Sequence, residues 1–303
     1  MPSLWKFGGL TPLRLVTLVA KKIDQDELVT RSAALSYYFF LALFPMLLFV
    51  VSLAGILAGH ASEIRDHIIS GLGQLAPGSA SDLVHKVVTR TTKASSGLKL
   101  AVGLVGALWA ASGGMSAIAV SLNKVHETEE TRPWWKQKLT VVMLTLVLGA
   151  LIIIALTLVL YGGKLGQLMA AHSSFGQVFR IAWDVVRWVV ALAAMLFSYS
   201  LVYYYAPDLN ERKWFWVTPG AVVGIALWLG ASYGLRVYLH FFNSYSATYG
   251  SLGAVIILML WLYVTGFALL IGGAVNWIIE NQDKKVADFE KQRRKIQPGL
   301  SAA

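Results

Sequence analysis

The stretch LTVVMLTLVLGALIIIALTLVLYGG (Leu139–Gly163) holds 25 residues without one Asp, Glu, Lys or Arg. A helix needs roughly 20 apolar residues to cross a hydrocarbon core of about 30 Å. Leu139–Gly163 is long enough and has no polar face, whereas a helix of a soluble protein carries one at 3.6-residue spacing. Working outward, the same pattern recurs at Ser32–Ala58, Leu100–Asn123, Trp214–Leu235 and Leu252–Ile279, all uncharged. It recurs again at Trp188–Leu209, where Asp208, next to the end, is the one charged residue. In lipid the backbone must satisfy its own hydrogen bonds, and a helix does so within one segment. These runs predict an all-α polytopic membrane protein with six transmembrane helices and short amphipathic helices outside the membrane.

The charges that remain set the orientation. Lys and Arg gather beside the cytoplasmic ends of membrane helices. Seventeen fall in the N-terminal segment, the loops after the second and fourth runs, and the C-terminal tail. Seven fall in the opposite segments, and Arg187 and Arg236 lie within helix ends. The split predicts both termini inside, which an even number of crossings requires. Three regions follow: a cytoplasmic segment 1–30, a membrane domain 31–280 with an outer insertion at 60–97, and a basic tail 281–303. The net charge of +10 is thus spent on topology, and nucleic acid is not expected as a partner. Without cysteine, thiol chemistry, disulfides and thiolate metal ligands are excluded.

Shorter segments add detail. Thr11 can cap a surface helix with Pro12 in its first turn. Leu13, Val16, Ala20 and Ile23 share a face of it, which lies in the inner interface or packs on the bundle. Two amphipathic helices flanking Pro77-Gly78 are expected in the outer insertion. Small residues at four-residue spacing, Gly103/Ala107, Ala110/Gly114, Gly220/Gly224 and Gly230/Gly234, allow close helix approach. The echo of Ala107-Leu108-Trp109 in Ala226-Leu227-Trp228 raises an inverted repeat of three helices each.

Ionisable residues inside a membrane helix are costly and mark candidate sites. Asp184, Arg187 and Arg236 fall near the outer mouth, with Arg180 and His240 close by. Asp184 and Arg187 are three apart and can pair on one face. Two arginines against one aspartate leave a positive excess suited to an anionic lipid headgroup; snorkelling to the interface is the alternative. Pro45 removes a helix hydrogen bond and should kink the first helix. Ser112-Gly113-Gly114 should weaken the second. Asn123, Asn276 and Glu280 end helices on the inner side, in capping or interfacial roles. His126, Glu127, Glu129 and Glu130 form the one metal-like cluster, but a charged loop beside Arg132 and Lys136 accounts for it. No metal site, cofactor or catalytic residue is expected, and no phosphate-binding loop or nucleophile elbow is present.

Several motifs resemble one family. Ala33-Ala34-Leu35-Ser36-Tyr37-Tyr38-Phe39-Phe40-Leu41-Ala42-Leu43-Phe44-Pro45 is similar to the first-helix signature of the YihY/BrkB membrane proteins. Leu108–Gly114 with Leu122–Val125 resembles the second-helix motif. Tyr203–Asp208 and Trp216–Ala221 resemble the motifs around the fourth and fifth helices, and Tyr245–Gly253 the start of the sixth. The likeness covers about residues 30–280. It implies a multi-pass protein of the bacterial cytoplasmic (inner) membrane with six helices. The family has been labelled a virulence factor and once a ribonuclease, and no catalytic residues carry over. The resemblance and the charged outer vestibule together lead to a transporter or flippase-like carrier of a lipid or lipid-linked envelope molecule. Its partners would be membrane lipids. The alternatives are a non-transporting envelope scaffold, contacting a second copy or another envelope protein, and more remotely a membrane-bound ribonuclease.

Overall fold

The computed structural model describes residues 9–57, 97–171, 176–209, 214–241 and 251–296. Seven long helices carry these residues: α1 Pro12–Gln25, α2 Leu28–Leu57, α3 Gly97–Val125, α4 Trp134–Ala171, α5 Gly176–Tyr205, α6 Pro219–Phe241 and α7 Ser251–Ile296. Five of them, α3 to α7, contain stretches long and apolar enough to cross a membrane, and α2 adds the shorter apolar stretch Leu28–Leu43. The chain is an all-helical membrane protein. The expected outer insertion at 60–97, except its last residue Gly97, and residues 245–250 of the motif Tyr245–Gly253 lie outside the described residues.

Each predicted run coincides with one long helix over most of its described length, and the boundaries move: α5 ends at Tyr205, before Leu209, and α6 starts at Pro219, after Trp214. Hydropathy marks only the apolar part of a helix, so α5 begins at Gly176, twelve residues before Trp188. Lys136 and Lys138, read as loop, lie in the first turns of α4. The basic tail continues α7 as helix to Ile296, through Glu, Lys, Gln and Arg, which are good helix formers. α2 runs through Pro45, and α3 through Ser112-Gly113-Gly114, without interruption. Gly114 serves the α2–α3 contact: an added Cβ would come within 3.2 Å of Phe39.

Thr11 caps α1 as expected, its side chain accepting the Arg14 N–H. The face that docks on α7 is not the one read from the sequence. Leu15, Lys22 and Asp26 are buried, with Leu18, Val19 and Ile23 half-buried, while Leu13 and Val16 face outward. Lys22 decides this register. Its ammonium, 3% exposed, lies 2.7 Å from Glu127 and 3.1 Å from Asp26. It also stands 3.4 Å from the centre of the Trp277 ring in α7, a charge no apolar-stripe argument would bury.

α7 is the centre of the bundle and packs on α6, α2, α1 and α3; α2 pairs along α3, and α4 along α5. α5 and α6 meet only sparsely, unlike α2 and α3, so the neighbours differ between the two halves of the proposed repeat. The core sits at one end. Buried side chains occur at Leu28–Leu35, Ala111–Val125, Val141–Leu148, Ser200–Ala206, Ala221–Ile225 and Leu262–Ile279. These segments converge on the end that carries the basic clusters. Toward the other end none of the described residues of 103–110, 150–159, 185–199 or 226–238 is buried.

Candidate functional site

The buried end is closed by a polar clasp. Asn123, in the last turn of α3, accepts the Asp208 N–H at 2.7 Å and donates from Nδ2 to Glu130 at 3.0 Å. Arg132 forks onto Glu130, with Nε and Nη2 at 2.6 and 2.8 Å from its two oxygens. The same guanidinium donates to the carbonyls of Tyr205 and Ala206. Those carbonyls end α5 and have no partner within it, so Arg132 satisfies them and complements the helix dipole. Asp208 accepts from the Thr131 N–H at 2.8 Å and from its hydroxyl at 2.6 Å. The Arg132 hydrogen bond holds the Glu130 carboxyl below its usual range, and Glu130 in turn raises Arg132.

A second lock joins α6 to α7. Thr218 precedes Pro219 at the start of α6 and accepts the Ala221 N–H. Asn276 of α7 accepts the Gly220 N–H at 2.8 Å and donates to Thr218 at 3.1 Å. The capping role read for Asn276 is therefore exercised on a neighbouring helix. Gly220 and Gly272 bring the two backbones together: a Cβ on either would collide with the carbonyl oxygen of the other. Only glycine lets helices approach this closely. Tyr203 completes the contact by donating to the Leu269 carbonyl at 2.8 Å.

Further along α3, away from the clasp, Lys138 reaches from α4 to Ser112. Its ammonium donates to the Ser112 hydroxyl oxygen at 2.7 Å and to the Trp109 carbonyl at 3.2 Å. It also sits 4.2 Å from the centre of the Trp109 ring. Ser112 directs its own O–H to the same Trp109 carbonyl.

The residues singled out in the sequence are distributed as follows. Arg187 is half-buried in α5, and Arg236 is exposed in α6. Asp184 lies in α5, and its side chain is outside the described set, as are Arg180 and His240. α5 starts at Gly176, so Asp184 and Arg187 stand two to three turns from its first residue. The carboxylates of the metal-like cluster are dispersed: Glu127 goes to Lys22 and Glu130 to Arg132. Among the described residues no three His, Asp or Glu side chains are grouped to hold a metal ion. Sequence reasoning missed the hub role of Asn123 and the inward reach of Lys138. The one available signal was that Asn123, Tyr203, Asp208 and Gly220 all belong to the quoted family motifs.

The comparisons agree with those motifs. The profile of the family described as "Virulence factor BrkB" matches residues 19–297. A "Putative ribonuclease-like protein YfkH" of Bacillus subtilis (strain 168) is 35% identical over 255 residues, 84% of this chain and 91% of that protein. A "UPF0761 membrane protein" of Aeromonas salmonicida (strain A449) is 24% identical over 299 residues, 93% of this chain and 98% of that protein. A "UPF0761 membrane protein" of Halorhodospira halophila (strain DSM 244 / SL1) is 24% identical over 262 residues, 84% of this chain but 55% of that longer protein. No solved structure gives a significant match. With Asn123 and Asp208 of its motifs joined in the clasp and the family profile spanning nearly the whole chain, this protein belongs to the Virulence factor BrkB family of membrane proteins.

Proposed function

We propose that the chain is a flippase-like carrier of the bacterial inner membrane for an anionic lipid or lipid-linked envelope molecule. In this reading it crosses six times, α2 to α7, with both ends in the cytoplasm and the clasp as the closed inner gate. The observation that supports it is the uneven burial along the bundle. Consecutive helical residues point about 100° apart, so a helix packed in a bundle shows a buried stripe. Val185, Val186, Trp188, Val189 and Val190 of α5 are all exposed, as are Leu227, Leu229, Tyr233 and Val237 of α6. Lipid can cover one side of such a helix. The remaining sides describe a cleft between the outer halves, closed below by the clasp, as alternating access requires. Arg187 and Arg236, with Asp184, would meet the headgroup at its mouth.

The ribonuclease reading finds less support. The Glu130 and Asp208 carboxylates are committed to Arg132, Asn123 and Thr131. We infer no hydrolytic role for them. The carrier reading is tested in proteoliposomes holding a fluorescent phosphatidylglycerol, with dithionite added outside, with and without an imposed proton gradient. The expected result is faster loss of inner-leaflet fluorescence than in empty vesicles, slowed several-fold by Arg187→Ala or Arg236→Ala. Rates equal to those of empty vesicles under both conditions would sink it.

A further inference from the structure

We propose that Lys138, Ser112 and Trp109 form a binding site for the phosphate of an anionic phospholipid between α3 and α4. The proposal rests on the carrier reading and adds to it a second anion-binding point, on the inner side. Its starting observation is position. Ser112 lies eleven residues from Asn123 on the same helix, about 16 Å along the axis at 1.5 Å per residue. Lys138 itself lies four residues past Trp134, the first residue of α4, about 6 Å along that axis, so with the clasp at the inner headgroup level its ammonium stands just below that level, beside the Trp109 and Trp134 rings. A charge half-buried there needs a counter-charge or a polar path.

Among the described residues no carboxylate pairs with Lys138; its contacts are Ser112, the Trp109 carbonyl and the Trp109 ring. An ammonium has three N–H donors, and two are used. The Ser112 proton is turned to the Trp109 carbonyl, so the serine presents its oxygen to the lysine and fixes the ammonium in place. The third donor is left for an incoming anion. The site is accessible: Lys138 is half-buried, and the Trp109 ring beside it is exposed.

The surroundings select a lipid rather than a free ion. The exposed rings of Trp109 and Trp134 lie together, centres 5.8 Å apart. Next to Lys138 on α4, Leu139, Met143 and Val147 are exposed at spacings of four, one apolar stripe along the helix. A phosphodiester on the ammonium would lay its acyl chains along that stripe. A zwitterionic lipid would bring its own cation to the same phosphate and gain less.

The test is native mass spectrometry of the delipidated full-length protein, titrated with phosphatidylglycerol, phosphatidylcholine and inorganic phosphate. The wild type should prefer phosphatidylglycerol to phosphatidylcholine by about tenfold, the scale of one hydrogen bond to a charged group. Lys138→Met should erase that preference, and Lys138→Arg should keep most of it. Should Lys138→Met fail to fold, Ser112→Ala, which loosens the ammonium without removing it, is expected to lower the preference about threefold. Undiminished preference in a folded Lys138→Met protein, or in Ser112→Ala where only that variant folds, overturns the site. Displacement of the bound lipid by millimolar inorganic phosphate overturns the lipid assignment. Lys138-dependent binding in a protein that fails the dithionite assay leaves this site standing and defeats the carrier reading alone.

Discussion

Gly220→Ala is expected to cost about 3 kcal/mol or more and to lower the thermal midpoint in detergent by about 10 °C. The added Cβ would meet the Gly272 carbonyl oxygen and the Asn276 side chain. The first is backbone of a central helix and has no rotamer to escape into. The second would have to leave the Gly220 N–H it satisfies, orphaning a donor at the start of α6. Gly272→Ala should behave alike, because its Cβ would meet the Gly220 carbonyl and the Tyr203 hydroxyl. Gly230→Ala and Gly234→Ala are the controls: their Cβ positions are open. Those two should leave the midpoint unchanged or raise it slightly, since alanine favours helix by up to about 1 kcal/mol. Size-exclusion profiles after a heating series read all four variants, and equal midpoints across them would refute the close α6–α7 crossing.

Arg132→Ala is expected to destabilise the protein by about 3 kcal/mol. The side chains of Arg132 and Asp208 are each 12% exposed, so solvent does little to replace the lost pairing. Removing the guanidinium leaves Glu130 and Asp208 facing each other and two α5 carbonyls without a donor. The pH dependence follows in sign. Glu130 is depressed in the folded protein, chiefly by its hydrogen bond from Arg132. Its contribution is therefore present above the ordinary carboxyl value of 4.5 and is lost as pH falls through and below it. The wild-type midpoint should drop between pH 6 and pH 3.5. Arg132→Ala should start lower and drop less over the same range, because the depressed state is already gone. A variant that keeps the wild-type acid slope would show that the pair does not carry it.

The helices were legible because lipid imposes a local rule: about twenty apolar residues in a row satisfy it, wherever they later pack. Their ends were less so. The apolar run of the fourth helix begins at Trp188, yet a helix continues through charge when its turns are otherwise compatible, and α5 reaches back through Arg187 and Asp184 to Gly176. The four-residue spacing of small residues marked both Gly220/Gly224 and Gly230/Gly234, but only the first pair lies where two helices cross. Spacing shows that an approach is allowed, and the partner helix decides whether it occurs. Gly272, on the partner helix, proves equally close. The clasp joins Asn123 to Asp208 across 85 residues, a distance at which no pattern of a single sequence connects two polar side chains. Lys138 counted as one more basic residue near a helix start. Its reach to Ser112 depends on how α4 crosses α3, which composition does not encode.

The central claim is a bundle sealed at the cytoplasmic end and open between its outer halves. The chain contains no cysteine, so single cysteines can be placed on a silent background. The decisive measurement is labelling of intact cells by a membrane-impermeant maleimide, for cysteines at each position from Val185 to Leu192, at Leu122 and Val202, and at Ala303. Reaction needs water to form the thiolate. The account predicts labelling from outside at every third or fourth position of Val185–Leu192, none at Leu122 or Val202, and Ala303 labelled only after permeabilisation. No labelling anywhere in Val185–Leu192, or labelling of Ala303 in intact cells, would contradict it.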